Sequence, residues 1–249
     1  MVIGICGYGY TGTGAVFSLL KEFDKVRCLS GGRDDIEFTL SYVPDGLEDL
    51  EYHLCINPTK GVGCDSAIYR FQLLVNDFER SHNRFTNNRF REISNNYINE
   101  LVQVKYSAFR IFEYERNTSS SKRISRLIRN YLRIIFRKFG IDYTFFQKRE
   151  RYISIFPDDF LRKTKIYINE ILGSDDNRKC ILLTQPFSVT NPLHSMRFFE
   201  EPYCIIVDRD PRDLYVMAKH IYGSYAKFIP TESIYSFIEY YKRLHDRRL

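Results

Sequence analysis

The first twenty residues constrain this chain more than any other stretch. Val2-Ile3-Gly4-Ile5-Cys6 reads as a short buried β-strand, and Gly7 to Gly14 as a glycine-rich turn. Ala15-Val16-Phe17-Ser18-Leu19-Leu20-Lys21 then has helical character. Strand, glycine loop and helix together make a site for an anion. The glycines let backbone approach a phosphate without a Cβ in the way, and the helix start offers unpaired N–H groups at the positive end of a dipole. The spacing leaves the anion open. Gly7, Gly9 and Gly12 satisfy G-x-G-x-x-G, the dinucleotide fingerprint. A nucleoside-triphosphate loop asks for Gly-Lys-Ser/Thr at the helix start, and Gly12-Thr13-Gly14 supplies no lysine, which counts against ordinary ATP or GTP hydrolysis.

At 249 residues the chain has room for one large α/β domain with a substantial core. Its 44% hydrophobic and 27% charged residues are those of a globular protein, and its formal charge of +6 favours anionic partners without naming one. Six scattered cysteines, none in C-x-x-C, read as reduced thiols rather than a disulfide frame or a zinc site. His53, Cys55 and Cys64 fit no common metal-ligand spacing, so no metal is expected. Residues 1–20 are glycine-broken and lack a basic leader, and no apolar run is long enough to span a bilayer. A cytoplasmic protein is expected on these grounds.

Further along, Lys25 to Leu29 reads as a second strand, ending at the turn Ser30-Gly31-Gly32. A dinucleotide-binding domain would want an acidic residue at that strand tip for the ribose; Asp34, Asp35 and Glu37 lie a few residues beyond it. Leu47 to Glu51 starts a helix after Pro44-Asp45-Gly46. From Ser66 to about Phe112 the apolar spacing is helical. Residues 122–139 form the most basic stretch, with Arg126, Arg129, Arg133 and Arg137 in one stripe opposite an apolar face. Such a helix suits either a solvated surface or contact with an acidic membrane surface or acceptor. Nucleic acid is set aside, because no recognition motif accompanies the charge. Residues 66–172 thus form a mostly helical insertion in a single domain spanning 1–249. The sheet resumes at Lys179 to Thr184, a continuous apolar run typical of buried parallel strands. Tyr203 to Val207 is another, and it leads into Asp208-Arg209-Asp210-Pro211-Arg212-Asp213 and a helix from Leu214.

The two ends of the chain together resemble the sulfotransferases that use 3′-phosphoadenosine 5′-phosphosulfate (PAPS). Thr11-Gly12-Thr13-Gly14 is similar to their phosphosulfate loop, and the strand ending in Arg209-Asp210-Pro211 to their second signature. Gly31-Gly32 with Glu37-Phe38, Pro44-Asp45-Gly46-Leu47 and Phe237 to Arg243 resemble the bacterial surface-polysaccharide members. The resemblance implies a three-layer α/β fold with a parallel sheet of the P-loop nucleotide-binding type. It implies sulfuryl transfer from PAPS to a hydroxyl, most naturally on a glycan, without a metal. Gly9, Tyr10, Thr11, Gly12, Thr13, Gly14 and Ala15 would hold the 5′-phosphosulfate, and Arg209 the 3′-phosphate, as a guanidinium suits by its paired donors and permanent charge. Glu37 is the expected base, with His194 as its alternative. The pattern departs from the family at Tyr10, where Lys or Arg is usual, and at Met217, where a serine usually shares the 3′-phosphate. Leu249 also comes earlier than the resemblance leads one to expect, which implies a further C-terminal segment. Two other readings stay open: an NAD(P)-binding Rossmann protein, and a non-catalytic module that binds anions or the inner membrane surface through its basic helix.

Overall fold

The architecture comes from a computed structural model, which describes residues 1–29, 37–59, 62–109, 131–132, 134–140, 148–173, 180–221 and 228–246. Ser30 to Ile36 (with Gly31, Gly32, Asp34 and Asp35), the polar stretch 117–121, and Arg126, Arg129 and Arg133 of the basic stripe lie outside the described residues. The strands in chain order are β1 (Val2–Gly7), β2 (Val26–Cys28), β3 (Val104–Phe109), β4 (Lys148–Ile153), β5 (Cys180–Thr184) and β6 (Pro202–Val207). The helices are α1 (Thr13–Lys21), α2 (Leu47–Glu51), α3 (Val62–His82), α4 (Phe90–Leu101), α5 (Phe160–Leu172), α6 (Pro192–Met196), α7 (Pro211–Val216) and α8 (Ile234–His245). π-helical turns extend α2 over Tyr52–Ile56 and α7 over Met217–Ile221.

Four strands form a parallel sheet in the order β2-β5-β1-β6. Apolar side chains on both faces of the central strands require cover on both sides, and the chain supplies it. Ile3, Ile5 and Leu182 point to one face and pack with Phe17, Val16 and Leu20 of α1. Val2, Cys6, Ile181 and Leu183 point to the other and join the main core with α2, α3, α4 and α5. Gly4 sits in the middle of β1 for a steric reason. A Cβ there would lie 2.4 Å from the Phe187 ring and from Pro186, so glycine lets the fully buried Phe187 lie flat on the sheet. Arg27 of β2 donates to the carbonyl of Gly173 at 2.7 Å, tying the sheet edge to the end of α5. Gly173 closes that helix in the left-handed conformation, as its sequence position suggests.

Among the described residues, the insertion departs from its expected helical character where α4 ends. Helical spacing carried as far as Phe112 on sequence, but α4 stops at Leu101, and Val104–Phe109 pairs antiparallel with Lys148–Ile153. Val102 is already extended. The Gln103 side chain then bonds the backbone N–H and C=O of Ile155, both at 3.0 Å, and extends the ladder. Val104 and Tyr106 suit a strand as well as a helix. A partner some forty positions away decides between them, and local periodicity does not show it. Near the end of the basic stretch, residues 134–138 are helical as expected, with Arg137 and Lys138 exposed.

Candidate functional site

β1 and β6 are neighbours with Gly7 opposite Val207, so the chain leaves both strands on the same sheet edge. Beyond Gly7 the glycine loop folds back on itself. A Cβ on Gly7 would come within 2.3 Å of the Thr11 hydroxyl and 2.6 Å of the Thr13 methyl, so this turn tolerates only glycine there. Gly9, Tyr10 and Gly12 all have positive φ (89°, 55° and 98°). For Tyr10 that conformation is strained, and its ring is braced by stacking on Phe228 at 5.6 Å. Gly12 is the N-cap of α1, and it supplies no side chain to bond the first turn. The space a Cβ would take at Gly12 or Gly14 is open. Thr11 is 5% exposed, and its hydroxyl has no hydrogen-bond partner among the described residues. A helix start with uncapped N–H groups, open space and an orphan hydroxyl is chemically suited to an anion.

Arg209 comes to this loop from the adjacent strand. Its Nη1 lies 3.5 Å from the Tyr10 carbonyl oxygen, and no carboxylate among the described residues pairs with it. The neighbouring arginine of the motif is used differently. Asp210 caps α7 by accepting from the Arg212 N–H at 2.9 Å, and Pro211 opens the helix. The Arg212 guanidinium bonds the same carboxylate through Nε and Nη2, which holds the Asp210 carboxyl down to about 2. One arginine thus serves the helix cap, and the other faces the glycine loop. Met217 begins the π turn that follows α7 and is half-buried.

Glu37 also stands on this edge. It bridges to Thr184 at the end of β5, and the Phe38 N–H donates to the Thr184 carbonyl at 2.8 Å. Glu37 is exposed. With β5 between, its strand position is two spacings from β1, about 10 Å across the sheet. His194 is placed elsewhere. It lies on α6, over the sheet face opposite α1, with Arg197 Nη2 3.2 Å from its Nδ1 and Glu51 at 3.9 Å. Beside it Ser195 donates to Glu48, whose carboxyl is pushed up by burial and pulled back in part by that hydrogen bond. The Tyr42 hydroxyl is pushed well up, chiefly by burial and further by Cys6, Glu37 and Glu48.

Gln185, which the sequence places at the ligand end of a buried strand without giving it a role, is a residue of the site. It follows β5 with a φ of 53°, and its amide both accepts from the Gly7 N–H and donates to the Gly7 carbonyl, each at 3.2 Å. It satisfies the backbone of β1 where the glycine loop begins. The only sequence signal was its place at the carboxyl end of an apolar strand, where open α/β sheets gather their ligands. The other signal missed was the end of α8, where Tyr241 and His245 meet Tyr8 and Asp208.

Among the described residues no group of three His, Cys, Asp or Glu is arranged to hold a metal ion, and all six cysteines are free thiols. No helix among them is long and apolar enough to cross a membrane. Comparisons with protein-family models, with curated proteins and with solved structures found no match to this chain.

Proposed function

We propose that this chain is a sulfotransferase that moves a sulfuryl group from PAPS to a hydroxyl acceptor. One observation carries the reading: a glycine loop with an uncapped helix start and an arginine without a carboxylate partner among the described residues meet at the ends of two adjacent parallel strands. Two cationic or donor-rich positions side by side suit a nucleotide with phosphates at both ends of one ribose. The N–H groups from Thr11 to Gly14, with the Thr13 hydroxyl, would hold the 5′-phosphosulfate, and Arg209 the 3′-phosphate; the Ala15 N–H, expected to join them, donates instead to the Gly12 carbonyl at 3.0 Å. In the transfer, an acceptor oxygen forms a bond to sulfur while the bond from sulfur to the 5′-phosphate oxygen breaks. Charge builds on that leaving oxygen, where the fixed N–H donors stabilise it. The acceptor proton goes to a carboxylate. Glu37 is preferred, because it stands on the loop's edge of the sheet while His194 is engaged by Arg197 and Glu51. The acceptor is proposed to be a glycan hydroxyl, and the finer fold type a P-loop-like three-layer sheet. A cytoplasmic location, with the basic residues 122–139 against an acidic inner membrane surface, belongs to the same proposal.

The dinucleotide reading explains the loop but not the sheet. Its usual order, 3-2-1-4-5-6, puts the first strand beside the second, whereas β5 lies between β1 and β2 here. Thermal unfolding with added nucleotide separates the two. Adenosine 3′,5′-bisphosphate should raise the melting temperature, and NADH should not. The reverse result would reject the sulfotransferase reading in favour of the dinucleotide one.

A further inference from the structure

We propose that His245 is a positioning residue for Arg209, holding the arginine segment and the glycine loop together from the last turn of α8. The proposal rests on the reading of Arg209 as the anion-binding arginine. The contacts run in one chain across three segments distant in sequence. On the glycine-loop side, the Tyr8 ring stacks on the His245 ring at 4.1 Å, and the Tyr8 hydroxyl donates to the Leu244 carbonyl at 3.2 Å. Tyr241 covers the other side of the imidazole at 3.8 Å. The ring is therefore sandwiched between two tyrosines and can neither tilt nor slide freely.

Its two nitrogens are both engaged. Nδ1 lies 2.7 Å from the Tyr241 carbonyl oxygen, which can only accept, so Nδ1 carries a proton. Nε2 faces the Asp208 carboxylate at 3.3 Å, and that group too only accepts, so holding both partners at once requires both nitrogens to donate, as in the imidazolium ring. Asp208 Oδ1 in turn accepts the backbone N–H of Arg209 at 2.8 Å. Fixing Asp208 therefore fixes the peptide from which the Arg209 side chain leaves. The same imidazole fixes Tyr8, two residues before the carbonyl that the Arg209 guanidinium approaches. One ring thus sets the separation of the two anion-binding groups, and binding two linked phosphates depends on that separation. Small misplacements of such groups are costly even when the contacts themselves survive.

The test compares His245→Ala, His245→Gln and Asp208→Asn with the wild type, using two measurements. The first is backbone hydrogen exchange in the absence of nucleotide. Segments 8–11 and 208–212 should exchange faster in His245→Ala and in Asp208→Asn, while β1 and β5 stay protected. The second is binding of adenosine 3′,5′-bisphosphate against adenosine 5′-phosphosulfate, which lacks the 3′-phosphate. In His245→Ala the bisphosphate should lose roughly tenfold more affinity than the phosphosulfate, within the range for residues coupled through one network. His245→Gln, which keeps a hydrogen-bonding group toward Asp208, should recover part of that loss. Unchanged exchange over 208–212 in both variants overturns the proposal. So does an equal loss for both nucleotides, which marks a structural role only. If the wild type ignores the bisphosphate while exchange responds as expected, the positioning stands and the donor assignment falls.

Discussion

At the scale of single residues, Arg209 has the sharpest consequence. It leaves the half-exposed edge strand β6 beside the glycine loop, and its guanidinium has no carboxylate to neutralise it among the described residues. Arg209→Ala should cost about 2–5 kcal/mol of bisphosphate binding, the range for one partner of a desolvated charged contact, or roughly one and a half to three and a half orders of magnitude in affinity. Affinity for adenosine 5′-phosphosulfate should hardly move. Calorimetric titration of both nucleotides checks this, and equal losses in a folded variant would show that Arg209 does not read the 3′-phosphate. Arg212, three residues along in the same motif, behaves differently because Asp210 already holds it. Residue type and motif are the same for both arginines, and only the placed partner distinguishes their roles.

Among the elements, the insertion is held to itself by a buried polar seam between α4 and α5. Tyr97 stacks on Tyr167 at 4.3 Å; the Tyr97 hydroxyl meets Thr164 Oγ1 at 2.7 Å and the Tyr167 hydroxyl meets Ser94 Oγ at 2.8 Å. All four residues are buried; Ser94 and Thr164 donate to the carbonyls of Phe90 and Phe160 one turn back, so each tyrosine hydroxyl is left to bond across the seam. Thr164→Val keeps the volume but orphans the Tyr97 hydroxyl and should cost about 1–3 kcal/mol. Adding Tyr97→Phe removes the orphan and should restore much of that stability. Urea unfolding of the single and double variants measures both effects; an additive double variant would mean that the hydroxyls do not depend on each other. At the sheet edge, Gln185 plays a related part, closing the backbone of β1 before the glycine loop begins.

For the whole molecule, acid stability follows from His82. Its ring is 1% exposed, lies against Phe38, Phe78, Phe85 and Phe90, and has an Nε2 with no partner among the described residues. Burial pulls its pKa down from the ordinary value of 6.5 to about 4. The folded state therefore resists protonation that the unfolded chain accepts. Stability is unaffected above pH 6.5 and falls as the pH drops from there toward 4. The full loss is about 3 kcal/mol, from about 1.4 kcal/mol for each unit. His82→Leu should flatten this part of the pH dependence in urea unfolding. A slope unchanged by the substitution would place the acid sensitivity elsewhere.

The sequence by itself determined what local pattern can encode. The strand, glycine loop and helix of the first twenty residues were legible, because glycine spacing and apolar runs report backbone geometry and burial directly. So were the strands β5 and β6 and the Asp210-Pro211 start of α7, but β6 is the half-exposed edge of the sheet, with Tyr203 and Ile205 open, and not the buried strand its apolar run predicts. Only the tertiary structure decided how those pieces adjoin. It inserted β5 between β1 and β2, and turned residues 104–109 from an expected helix into half of an antiparallel pair. It also set Glu37 on the loop's edge while His194 went to the face opposite α1, and brought Gln185 and His245 to the glycine loop. The reason is physical. Periodicity is a property of neighbours along the chain, whereas strand order and side-chain partners depend on which distant surfaces can be buried together. Gly7 and Val207, or Tyr8 and His245, carry no local mark of each other, and only closing the chain around a common core puts them in contact.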